Sequence, residues 1–192
     1  MDDALRYAGQ RVIVSGASAG VGAAVVGILV DLGAEVHAIS AEEPAVAGVA
    51  SRTGCDPHDP DRVAAAVARI GSVVNALFVC DDGGRSLVEA VIPHMVHGSA
   101  IAWVAEGSEA DALSAFAEEQ APSFEGRGIR CNGVDPEPFS PVDLARIEEL
   151  AWLLVLVNSR RAGSATGLRI RPAGVPARAQ ADPGALTPEP LD

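Results

Sequence analysis

The stretch that most constrains this chain is Arg11-Val-Ile-Val-Ser-Gly-Ala-Ser-Ala-Gly-Val-Gly22, an apolar β-type run that breaks into glycines and restarts as a helix. A strand ending in such a turn brings backbone N–H groups and a helix N-terminus to one point, the geometry that holds a pyrophosphate. Val21 to Leu32 then carries Val25, Val26, Leu29 and Leu32 at helical spacing and closes on Gly33. Glu35 to Ile39 reads as a second, parallel strand, so the chain opens with a βαβ unit.

Composition narrows the class. At 192 residues the chain is long enough for one domain with a substantial core, and its 48% hydrophobic content with few aromatics suits an Ala/Val/Leu-packed α/β layer. The formal charge of −12 argues against nucleic acid or an anionic membrane surface as a partner. No apolar run is long enough to span a bilayer, and the acidic Met1-Asp-Asp start is unlike a secretory signal, so a cytoplasmic protein is expected. Cys55, Cys80 and Cys131 lack metal-ligand spacing and are expected to be reduced thiols. The chain has no lysine, and Tyr7 is its single tyrosine.

Further elements follow in order. A third strand is expected near Val49, and a helix after it with Val63, Val67 and Ile70 inward. Val73 to Cys80 has the continuous apolar character of a strand buried on both faces. A helix is expected over 86–97, where His94 and His97 would sit one turn apart, followed by a strand over 100–104. Ser108-Glu-Ala-Asp111 has the pattern of a capping box for a helix over 108–122 that stops at Pro122. A strand over 128–134, a helix over 143–158 capped by Asp143, and a closing strand over 167–171 complete the domain, 1–174. Residues 175–192, rich in Pro, Ala and Asp, read as a disordered tail.

The glycine spacing G-x-x-x-G-x-G resembles the TGxxxGxG turn of the short-chain dehydrogenase/reductase family, with Ser15 in place of Thr. Gly128-Ile-Arg-Cys-Asn-Gly-Val134 is similar to that family's GIRVNxVxP strand, and Thr166 to Gly174 to its closing TGxxxxVDGG strand. The resemblance covers residues 10–174 and implies an α/β fold: a Rossmann-like, doubly wound parallel sheet of about seven strands, with a shortened fourth helix and no substrate lid. It implies that Gly16, Ser18, Gly20, Val21 and Gly22 face a dinucleotide, and that Asp56 contacts the adenine. Capping of the next helix by Asp56 or Asp59, with Pro60 in its first turn, is the alternative. Ser40 and Glu42, at the end of the second strand, leave NAD against NADP open.

The family's chemistry has no counterpart. Its catalytic serine, tyrosine and lysine positions are replaced, the latter two by Glu106 and Ala110, and without any lysine no realignment restores the proton relay. Asp81 and Asp82 stand where the family has Ala-Gly against the cofactor, and Glu137 replaces a glycine of its Pro-Gly-Pro turn, so no cofactor is required and NAD or NADP is only a possible ligand. Three readings follow. The first is a non-catalytic subunit that joins a homologous active dehydrogenase, or itself, through helices 86–97, 108–122 and 143–158 and strand 167–171. The second is a small non-redox isomerase or lyase using Asp81, Asp82 or Glu106 as acid and base, with Asp135 at a further strand end. The third is an NAD(P)-binding protein without hydride transfer. No metal site is expected.

Overall fold

The computed structural model describes residues 5, 7–71, 73–82, 84–105, 107–136 and 144–170, with the side chains of 107–110 and 145 excepted. Among the described residues seven parallel strands form one sheet in the order β3-β2-β1-β4-β5-β6-β7. They are β1 (Arg11–Val14), β2 (Glu35–Ser40), β3 (Ser51–Gly54), β4 (Val74–Val79), β5 (Met95–Val104), β6 (Arg130–Val134) and β7 (Arg169–Ile170). Among the described residues the α-helices between them are α1 (Gly20–Asp31), α2 (Pro60–Ile70), α3 (Gly84–Val91), α4 (Gly107–Arg127) and α5 (Leu144–Asn158). This is the Rossmann-like α/β architecture expected from the glycine turn.

Burial on both faces follows from the strand sequences. Val12 and Val14 point to the face covered by α1 and α5, where they meet Val25, Val26, Leu29, Leu154 and Val155. Ile13 and Leu77 point to the other, where α2, α3 and α4 contribute Val67, Val88, Leu113 and Phe116. Alternate residues of each central strand therefore feed two separate cores, which explains the unbroken apolar runs. The strand order reverses direction between β1 and β4, whose carboxyl ends lie side by side with Val14 opposite Phe78. That switch point is where an open α/β sheet forms its crevice.

Several boundaries differ from those expected. The helix expected over 86–97 ends at Val91, a 3-10 turn follows at Ile92–His94, and β5 starts at Met95 rather than at residue 100. The cause is long-range: Met95 pairs with Val74, while the Ser99 hydroxyl donates to the Val74 carbonyl at 2.8 Å and accepts from the Val96 N–H at 3.0 Å. His94 and His97 consequently share no helix. The third strand lies at 51–54, just beyond Val49, and β7 is two residues long. Helix α4 continues through Pro122 to Arg127, because Phe124 is buried in the core beyond the point where proline removes one N–H from the ladder. Asp143, the expected cap of α5, the segment 139–142 and the expected tail 175–192 lie outside the described residues. Among the described residues no helix is long and apolar enough to cross a membrane.

Candidate functional site at the switch point

The glycine turn sits at the carboxyl end of β1 and leads directly into α1. Gly16 has φ +65°, and a methyl group on it would lie 2.4 Å from the Cys80 carbonyl oxygen. A methyl on Gly22 would lie 2.2 Å from the Gly16 carbonyl oxygen. Both positions therefore require glycine for the turn to close against β4 and against itself, whether or not anything binds. Gly20, φ +56°, has open space where its side chain would be, and Val21 is the second residue of α1.

The turn is held by Ser15, which is 1% exposed. Its N–H donates to the Phe78 carbonyl at 2.9 Å, and its Oγ accepts from the Cys80 N–H at 3.2 Å. The Ser15 hydroxyl proton goes to Asp81 Oδ1 at 2.9 Å. Asp81 is thus half-buried and drawn against the base of the glycine turn, while its neighbour Asp82 is exposed. A carboxylate held at this place sets a negative charge beside the N–H groups that would face a phosphate.

At the end of β2, Ser40 is 5% exposed and its Oγ hydrogen-bonds the Ser18 Oγ at 2.8 Å. The two hydroxyls tie the glycine turn to β2, and Glu42 stands exposed beyond them. Asp59 caps α2, accepting from the Arg62 N–H at 3.1 Å. Asp56 is exposed and accepts from the His58 N–H at 3.0 Å. Of the two acids expected as candidates for the cap, Asp59 takes that role.

Farther along the sheet, Asp135 directly follows β6 and is 1% exposed. Arg169 of β7 donates to Asp135 Oδ2 at 2.8 Å and to Asp111 Oδ1 of α4 at 2.6 Å, so the carboxylate of the expected capping box faces Arg169. Glu106 and Glu137 lie outside the described residues. Tyr7 is 1% exposed in the α1/α5 core, its ring centroid 6.3 Å from that of Phe78, and its hydroxyl donates to the Val155 carbonyl at 2.8 Å. Burial pushes its phenol well above the ordinary range, with Arg130 opposing weakly. Cys55, Cys80 and Cys131 are free thiols, and burial pushes each of them up. Among the described residues no cluster of His, Cys, Asp and Glu could hold a metal ion.

Sequence reasoning overlooked Arg130, Asn132 and Asn158. Arg130 donates to the carbonyls of Val157, Asn158 and Ser159, closing the C-terminus of α5. Asn132 takes the Leu168 N–H at 3.1 Å and gives a proton to the Ala165 carbonyl at 3.0 Å, and Asn158 donates to the Leu77 carbonyl. A cavity of about 1140 Å³ runs beside these residues, between α4 and β7, with Trp103, Phe124, Cys131 and Leu168 on its walls.

No family model matches the sequence, and no curated protein matches it. Solved structures do match the fold. A C-terminal deletion mutant of the aldohexose dehydrogenase of Thermoplasma acidophilum is 21% identical, with 86% of this chain and 95% of that one covered at a TM-score of 0.73. A variant short-chain dehydrogenase/reductase of Serratia marcescens is 20% identical, with 86% and 96% covered at 0.74. A short-chain dehydrogenase of Burkholderia cenocepacia in complex with NADP is 18% identical, with 86% and 97% covered at 0.73. The fold is that of short-chain dehydrogenases/reductases.

Proposed function

We propose that this chain is a subunit with the short-chain dehydrogenase fold, non-catalytic in hydride transfer, which associates with and supports a catalytically active dehydrogenase of the same fold. The observation that carries the reading is Tyr7. The chain's single tyrosine is buried in the core with its proton committed to the Val155 carbonyl, and no lysine exists to assist a phenolate elsewhere. The surface supports association. Trp152 and Leu156, one turn apart on α5, are 43% and 48% exposed, and Leu168 beside β7 is 43% exposed next to the groove along α4. These elements overlap the helices and strand through which partnership is expected.

The test is the behaviour of the partner. An active dehydrogenase co-expressed with this chain should gain thermal stability or turnover over the same enzyme expressed alone, while this chain alone transfers no hydride. A partner unaltered in both respects would overturn the reading.

A second reading rests on the intact glycine turn: the chain holds NAD or NADP without hydride transfer. The relative solved with NADP supports it, as does the open space at Gly20; the Asp81 carboxylate at the base of the turn opposes it. Calorimetric titration with the oxidised and reduced forms of both nucleotides decides it, and no heat from any of them removes it. The non-redox alternative calls for Asp81 as acid or base, and here the carboxylate is engaged by Ser15. An activity found by substrate screening and lost on Asp81→Asn would establish it.

A further inference from the structure

A second polar constellation lies on the far side of β2, sharing no residue with the glycine turn. His37 of β2 and Ser51 of β3 are directly paired across the two strands. The imidazole is 7% exposed, its Nδ1 lies 2.7 Å from Ser51 Oγ, and its Nε2 lies 3.2 Å from Glu35 Oε1. Glu35 is oriented in turn by Arg11, whose Nε donates to Oε1 at 3.0 Å and whose second nitrogen donates to Oε2 at 3.3 Å. The guanidinium holds the Glu35 carboxyl below its ordinary range, so it is a carboxylate and can only accept. Nε2 therefore carries the imidazole proton, and the Nδ1 lone pair faces the Ser51 hydroxyl. Burial lowers the His37 pKa more than Glu35 raises it, leaving the ring neutral and able to take a proton.

The arrangement opens onto a cavity of about 600 Å³ between β3 and the end of α2, lined by His37, Ser51, Thr53 and Arg69 among others. Because β3 is the edge strand, alternate backbone N–H groups along it have no strand partner. Arg69, on the last turn of α2, brings positive charge to the same cavity. A nucleophile, a base and hydrogen-bond donors thus converge on one accessible space, with a carboxylate orienting the base, the set that acyl transfer requires.

We propose that Ser51, His37 and Glu35 form a serine acyl-transfer site that hydrolyses small activated carboxylic esters. In the first step Ser51 Oγ attacks the ester carbonyl carbon, and its proton passes to His37 Nδ1. The carbonyl oxygen, negative at that stage, faces the edge-strand N–H groups and Arg69. The C–O bond to the alcohol breaks and the leaving oxygen takes the proton from His37, leaving an acyl group on Ser51. Water then attacks the acyl carbon, gives its proton to Nδ1, and Ser51 Oγ departs and recovers that proton. No oxidant, reductant or metal enters. Glu35 is a positioning residue, fixing the ring so that Nδ1 and not Nε2 meets the serine. The ring nitrogens are used in the opposite sense to chymotrypsin-like sites, a consequence of parallel pairing that sets the Cβ side of His37 beside Ser51.

The experiment treats the purified full chain with a fluorophosphonate probe and with p-nitrophenyl acetate, and maps the adduct by peptide mass spectrometry. The result expected is a phosphonyl adduct on Ser51, and ester turnover reduced about 100-fold or more in Ser51→Ala. His37→Gln, checked by circular dichroism, should lose the adduct as well. Glu35→Gln should retain the adduct while lowering kcat more than it raises KM and shifting the pH profile, which a purely structural carboxylate would not do. Should His37→Gln fail to fold, Ser51→Cys replaces it as the test: its alkylation by iodoacetamide should follow the ionisation of a histidine rather than that of an ordinary thiol. An adduct elsewhere, no adduct, or equal turnover in Ser51→Ala would overturn the proposal.

Discussion

Replacing Tyr7 by Phe separates a structural tyrosine from a chemical one. The substitution keeps the ring, 1% exposed and packed near Phe78, and removes only the hydroxyl that donates to the Val155 carbonyl at 2.8 Å. That carbonyl still accepts from the Ser159 N–H at 3.0 Å, so no buried acceptor is orphaned. The loss is then one neutral hydrogen bond, about 1 kcal/mol, which for a domain of this size lowers Tm by roughly 2–4 °C. Tyr7→Ala, which also empties the ring's site, should cost about 3–5 kcal/mol. Alkaline pH gives an independent readout. Burial raises the phenol's pKa in the folded state, so the folded chain keeps a proton that the unfolded chain releases near pH 10. Stability from this group is complete below that pH and falls as pH rises above it, and Tyr7→Phe should remove that part of the fall. Thermal melts and phenolate absorbance follow both effects. A phenolate in the folded protein at ordinary alkaline pH, or loss of a nicotinamide-dependent activity in Tyr7→Phe, would refute a purely structural role for Tyr7.

Other substitutions probe the site and its supports. Gly16→Ala forces a side chain into φ +65° and to within 2.4 Å of the Cys80 carbonyl, and should cost more than about 2 kcal/mol by chemical denaturation, with or without nucleotide present. Asp81→Ala removes a carboxylate at the base of the glycine turn, and calorimetry should then find NAD(P) binding tighter by about tenfold, on the order of 1 kcal/mol; unchanged affinity would show that the charge does not face the ligand. Arg130→Met frees the carbonyls of Val157, Asn158 and Ser159, and should lower stability by about 2 kcal/mol while protection from hydrogen exchange is lost first at the end of α5.

The parts of the fold that rest on local pattern were readable in the sequence. Val12 to Val14, the glycines behind them and the helical spacing of Val25, Val26 and Leu29 describe β1, the turn and α1 without knowledge of any partner. What was not readable depends on residues far apart. The spacing of His94 and His97 suits a helix, but Met95 is claimed by Val74 and Ser99 is bonded to the Val74 carbonyl, and those pairings start a strand instead. Pro122 reads as a stop until Phe124 is seen in the core. The same holds at the site. The bond between Asp81 and Ser15 joins residues 66 positions apart, and Arg169 gave no sign that it would meet Asp135 across 34. The Ser51, His37 and Glu35 set belongs to this group too, being assembled by strand register alone.

Mixed assembly with an active dehydrogenase is the property on which the proposed role of this chain rests. Native mass spectrometry of the full chain co-expressed with an active short-chain dehydrogenase from the same source should give an oligomer containing both subunits, weakened when Trp152→Glu places a charge on the exposed face of α5. A chain found only as a monomer or in assemblies of itself, beside a dehydrogenase that assembles without it, would contradict it.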